Sequence, residues 1–115
     1  ASREKIITDA PIDNDGKGEA FSPTDLVSTA LGSCMITIMA IAAEKHGIDV
    51  SGTYASVKKV MSSNPRRIIE IAIDINMDKN IEKKDRKRLE KAALACPVHN
   101  SLHPNLKKKI QFFYS

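Results

Sequence analysis

The sequence predicts an α+β fold in which a long central helix packs against an antiparallel sheet. Three observations carry this reading. Residues 22–47, SPTDLVSTALGSCMITIMAIAAEKHG, form the one stretch that is both long and continuously apolar, with no charge between Leu26 and Ala43. Residues 67–78 alternate with period two, as a half-buried strand does. Residues 78–96 return to a helical period, and helices and strands that follow one another in blocks give an α+β plan.

Taken in order, residues 3–8 read as a short strand whose strongly apolar members are Ile6 and Ile7. Its abrupt start suggests that earlier N-terminal strands are missing from the chain. Residues 9–21 carry Pro11, Asn14, Asp15, Gly16 and Gly18 and read as a loop, with a glycine spacing that matches no phosphate-binding fingerprint.

The long helix has marked ends. Ser22 suits the N-cap, Pro23 the first helical position, and Asp25 the position three residues after the cap, where a carboxylate can answer free backbone N–H groups. Gly47 can adopt the left-handed conformation that stops the helix. Leu26, Val27, Ala30, Leu31, Met35, Ile36, Ile38, Met39, Ile41 and Ala42 cover most of the circumference, so protein is expected on nearly all sides. The small residues Ala30, Gly32 and Ser33 predict close approach of a second helix, or of a second copy of the chain, at the level of Cys34. A run of this length approaches the lower limit for crossing a bilayer. Ser28, Thr29, Gly32, Ser33 and Thr37 dilute it, and no membrane span is expected.

Residues 49–62 alternate imperfectly through Val50, Tyr54, Val57, Val60 and Met61, which predicts a strand with a bulge. Ser63, Asn64 and Pro65 make a turn. Ile69, Ile71, Ile73, Ile75 and Met77 then share one strand face, with Ile68, Glu70, Ala72, Asp74 and Asn76 on the other, completing a hairpin. In residues 78–96, Asn80 is the expected cap and EKKDRKRLEK the solvated side, while Ile81, Leu89, Ala92, Ala93 and Cys96 form the inner stripe. Pro97 interrupts, residues 98–102 supply a short helical turn before Pro104, and residues 106–114 close the fold as a strand. Lys107 to Lys109 suit a solvent-facing sheet edge.

A chain of 115 residues implies one domain, and one this short cannot easily surround a helix of about 25 residues. The expectation is a homodimer sharing that helix in its core. A net charge of +4 and 4% aromatic residues fall short of the basic, stacking-rich face that nucleic-acid binding needs. Two cysteines 62 positions apart are no secreted disulfide framework, which makes a cytoplasmic location the default.

Cys34 and Cys96 are the strong nucleophile candidates. They are either two small core residues or a working redox pair, and spacing alone leaves both readings open, because disulfide reach depends on the fold. Cys96, His99 and His103 could also present a thiolate and two imidazoles to zinc. A fourth ligand is missing, and Pro97 and Pro104 disturb the geometry.

The run SPTDLVSTALGSCM, followed by a hairpin and then ACPVHNSL, resembles the OsmC/Ohr family of osmotically inducible and organic hydroperoxide resistance proteins. The resemblance extends from about residue 8 to the C-terminus and implies a single OsmC-like domain over residues 1–115, paired as an intertwined homodimer. It further implies a thiol peroxidase serving oxidative stress defence. Cys34 matches the peroxidatic position, Cys96 the resolving position, organic hydroperoxides are the implied substrates and dithiols the reductant. The chemistry needs no metal or flavin. Met35, Ile38 and Met39 are candidates for receiving an alkyl hydroperoxide, and core packing explains them equally well.

Cys34 stands three turns into its helix, where the helix dipole has faded, so activating it requires a nearby cation. In active members of the family an arginine held by a glutamate meets that need. The glutamate position falls on Thr24, with Asp25 beside it, and Arg3 is the candidate for the arginine. Asp25 reads first as a helix-capping carboxylate. The expectation is a divergent member with slow turnover, the alternative being a non-catalytic protein that binds a small apolar molecule in the dimer cleft.

Overall fold

A computed structural model describes residues 1–115. A short 3₁₀ turn, Ile12–Asn14, precedes α1 (Pro23–Lys45), the hairpin β1 (Tyr54–Ser63) and β2 (Arg66–Met77), α2 (Lys83–Leu94), α3 (Pro97–Ser101) and β3 (Lys107–Tyr114). The strands form one sheet in the order β1-β2-β3.

α1 begins as its sequence predicts. The Ser22 hydroxyl accepts the Asp25 N–H at 3.0 Å, and the Asp25 carboxylate accepts the Ser22 N–H at 3.1 Å, a reciprocal capping box. At the other end Gly47 takes φ 65°, and the Ile48 N–H bonds back to the Ala43 carbonyl at 2.9 Å. Leu31, Met35, Met39 and Ala43, spaced four residues apart, lie fully buried along one stripe against the sheet.

The opposite side of α1 is left bare by its own chain, which is too short to surround it. Val27 and Ile41 are 40% and 48% exposed, and Ala30 also faces solvent. Three strands and two shorter helices are too few to wrap it. α1 is long and apolar enough to cross a membrane by length and composition, but its inner stripe is spent on the core. Close approach does occur at Gly32, though the neighbour is a strand: a Cβ there would meet Val57 Cγ2 of β1 at 2.9 Å.

The hairpin contains the predicted irregularity on the partner strand. Val60 pairs with Glu70 and Met61 with Ile68, so Ile69 is an extra residue on β2. A one-residue slip exchanges the two faces of a strand. Ile71, Ile73, Ile75 and Met77 are therefore buried as expected, whereas Ile69 is 39% exposed and Ile68 packs against the core instead. β1 starts at Tyr54 rather than at residue 49. Asp49 accepts the Ser51 N–H at 2.9 Å and Gly52 turns at φ 81°, which spends residues 49–53 on a turn.

The sheet is mixed rather than antiparallel. β3 runs parallel to β2, from Glu70 opposite Lys107 to Met77 opposite Tyr114, because α2 and α3 carry the chain back across the fold before it re-enters the sheet. β3 is an edge strand, and Lys109 and Lys107 stand 3.5 and 3.9 Å from Glu70. At its far end the Tyr114 hydroxyl donates to Glu90 at 2.6 Å while its ring receives the Arg86 guanidinium at 4.2 Å, tying β3 to α2.

Two further expectations are corrected. Residues 3–8 form no strand, having no ladder partner within the chain, and Ile6 and Ile7 are 72% and 84% exposed. Asn80 is not the cap of α2: its N–H is taken by Asp78 at 2.7 Å in a turn, and Glu82 occupies the cap position without a side-chain bond.

Candidate functional site

The site lies where α1 meets the junction of α2 and α3. Leu89 and Ala93 seat α2 in the core against α1, and α2 ends at Leu94 with Ala95 as its C-cap. Cys96 precedes Pro97, whose ring disfavours the helical region for the residue before it, and Cys96 is accordingly extended at φ −69°, ψ 148°. From there its sulfur accepts the His99 N–H at 3.3 Å and caps α3. Cys96 is fully buried, whereas Cys34, midway along α1, is half-buried.

The fold brings these two cysteines together. Both thiols are free, and Cys34 packs against the core cluster that contains Cys96, where α3 meets α1. Burial pushes the Cys96 thiol up from its ordinary pKa; the N–H of His99 opposes that shift, and the adjoining Cys34 adds to it. Cys96 is therefore a thiol at neutral pH.

The remaining sequence-predicted residues gather elsewhere. The Thr24 hydroxyl lies 3.1 Å from that of Ser22, at the start of α1. Asp25 caps the helix and also forms an ion pair with Lys59 of β1. Lys59, followed by the Ser22 N–H, holds the Asp25 carboxyl below its ordinary range. Nine residues separate Asp25 from Cys34, about 14 Å of helix rise and two and a half turns, so this pair faces away from Cys34 within the chain. Arg3 is exposed and enters no ion pair. The sequence reading missed Lys59. Its parity with Ala55 and Val57 in β1 was the available signal, since residues two apart share a strand face.

The zinc arrangement is contradicted. No three His, Cys, Asp or Glu side chains converge as a metal site. His103 is exposed, with Nδ1 accepting the Asn105 N–H at 3.0 Å. His99 is half-buried, and burial, then the nearby Lys108 ammonium, lowers its pKa. Among the apolar candidates beside Cys34, Met35 and Met39 are closed inside the core and Ile38 is half-buried. A groove of about 310 Å³ runs between α1 and β1, lined by Thr29, Gly32, Ser33, Ile36, Thr37, Ala55 and Val57; Cys34 is not part of its wall.

Residues 16–111 match the family of OsmC-like proteins. No curated protein matches the chain. Among solved structures, a provisionally named osmotic stress induced and detoxification response protein from Psychrobacter arcticus is 50% identical, with a TM-score of 0.91 over 96% of this chain and 81% of that one. Two organic hydroperoxide resistance proteins share the fold at lower identity. That of Legionella pneumophila is 16% identical with a TM-score of 0.74, over 91% of this chain and 78% of its own. That of Elizabethkingia anophelis is 15% identical with a TM-score of 0.75, over 92% and 78%. With the match spanning most of its length, the chain belongs to the OsmC-like protein family.

Proposed function

We propose that this protein is a thiol-dependent peroxidase that reduces organic hydroperoxides, acting as a homodimer in the cytoplasm in defence against oxidative stress. The observation that supports the reading is that Cys34 and Cys96, 62 positions apart in sequence, adjoin in the core where α3 packs on α1. The more accessible Cys34 is the peroxidatic residue. Its thiolate attacks the outer peroxide oxygen; the S–O bond forms, the O–O bond breaks, and the departing alkoxide takes a proton and leaves as the alcohol. Cys34 is left as a sulfenic acid. The Cys96 sulfur, giving up its proton, then attacks the Cys34 sulfur, and the sulfenic oxygen leaves as water. A dithiol returns the resulting disulfide to two thiols by two exchange steps.

Turnover is slow in this reading, because the half-buried carboxylate–cation pair on α1, Asp25 with Lys59, lies away from Cys34 in its own chain. The single OsmC-like domain extends over residues 1–115, and the second copy covers the bare side of α1 around Val27 and Ile41.

The test compares oxidation by cumene hydroperoxide and by hydrogen peroxide in the native protein, Cys34→Ser and Cys96→Ser. Cys96→Ser is expected to stop at a sulfenic acid that dimedone captures at Cys34, and Cys34→Ser to consume no peroxide. Oxidation of Cys34 no faster than that of a free thiol would overturn the reading.

A further inference from the structure

Cys96 does two things with one sulfur. It adjoins Cys34 where α3 packs on α1, and it is the N-cap of α3, accepting the His99 N–H at 3.3 Å. No other side chain caps this helix, and the Pro97 nitrogen carries no hydrogen. α3 is only five residues long, so its first turn rests on that sulfur, on the Asn100 N–H bond to the Cys96 carbonyl at 3.1 Å, and on Val98 and Leu102 packed at the core margin.

We infer that forming the Cys34–Cys96 disulfide uncaps α3, so that the oxidation state of the thiol pair is read out as opening of the Pro97–Ser101 turn. The inference rests on the proposed disulfide and adds a consequence to it. Two free thiols must move together to reach the disulfide bond length of about 2 Å. Cys34 sits within a 23-residue helix anchored at both ends, whereas Cys96 sits in extended backbone before a short one. The movement therefore falls on Cys96, and it takes the sulfur off the His99 N–H. A disulfide sulfur is also a weaker acceptor than a thiol or thiolate. The freed turn exposes the sulfur that the external dithiol attacks, and reduction restores the cap.

The experiment forms the disulfide with diamide, which accepts two electrons and two protons from the thiols and makes the bond independently of peroxide turnover. Amide exchange at residues 98–101 is followed by NMR in the reduced and oxidised protein, with the disulfide verified by intact mass. The expected result is exchange about tenfold faster at His99 and Asn100 in the disulfide form, reversed by dithiothreitol, the size of effect that losing an N-cap has elsewhere. Cys34→Ser treated identically retains slow exchange, and so does Cys96→Ser, since serine is itself a good cap. A disulfide with unchanged exchange overturns the inference and leaves the peroxidase reading intact. Failure to form the intramolecular disulfide overturns both. Faster exchange in the diamide-formed disulfide of a protein that does not react with peroxide upholds the inference and overturns the peroxidase reading.

Discussion

Asp25 and Lys59 form an ion pair that fastens the start of α1 to the middle of β1, with the same carboxylate closing the capping box on Ser22. Asp25→Ala removes both interactions. Losing the Ser22 N–H bond to the carboxylate alone costs about 1 kcal/mol, measurable by urea denaturation at pH 7. The folded state holds this carboxyl below its unfolded value, so the unfolded chain takes up the proton more readily. The contribution of Asp25 is therefore fully present above about pH 4 and is lost as pH falls through the lowered folded value. The stability gap between native protein and variant narrows on acidification; a gap independent of pH would separate the ion pair from stability.

Gly32 places its bare backbone against Val57, where a Cβ would stand 2.9 Å from Cγ2. Gly32→Leu is expected to lose about 1 to 3 kcal/mol through overpacking. Gly32→Ala loses less, because better helix propensity offsets the displacement of Val57 by about 1 kcal/mol. Thermal melts of the two variants check the order.

The outer side of α1 leaves Val27 and Ile41 in water while its inner stripe is sealed. The double variant Val27→Glu, Ile41→Glu is expected to halve the apparent mass in sedimentation while keeping its helical circular dichroism. A native protein that sediments as a monomer would contradict the proposed dimer.

The resolving step should depend strongly on pH. Burial raises the Cys96 thiol above its ordinary pKa of 9.0, so between pH 7 and 9 the reactive thiolate fraction grows about tenfold per pH unit. The lifetime of the Cys34 sulfenic acid, followed by rapid quench with dimedone, is expected to shorten in step.

What the sequence disclosed was governed by local chemistry. Ser22, Pro23, Asp25 and Gly47 specify the ends of α1 through interactions spanning three or four residues, and they act as read. The misplaced features depend on which segments become neighbours. Ile69 leaves the core because β2, not β1, carries the extra residue, and that is decided by pairing across the hairpin. The parallel direction of β3 follows from the path of α2 and α3, which no residue pattern within β3 records. At the site, both cysteines stood out as residue types, but their proximity is a product of α3 packing on α1. Lys59 was hidden because a lysine in a strand reads as solvent-facing until a carboxylate on another element is placed opposite it.

The most direct measurement is peptide mapping of the native protein after one equivalent of cumene hydroperoxide. The account predicts a single intramolecular cross-link joining the Cys34 and Cys96 peptides, abolished by dithiothreitol. Oxidation that leaves Cys96 free, or that joins Cys34 to any other sulfur, would contradict it.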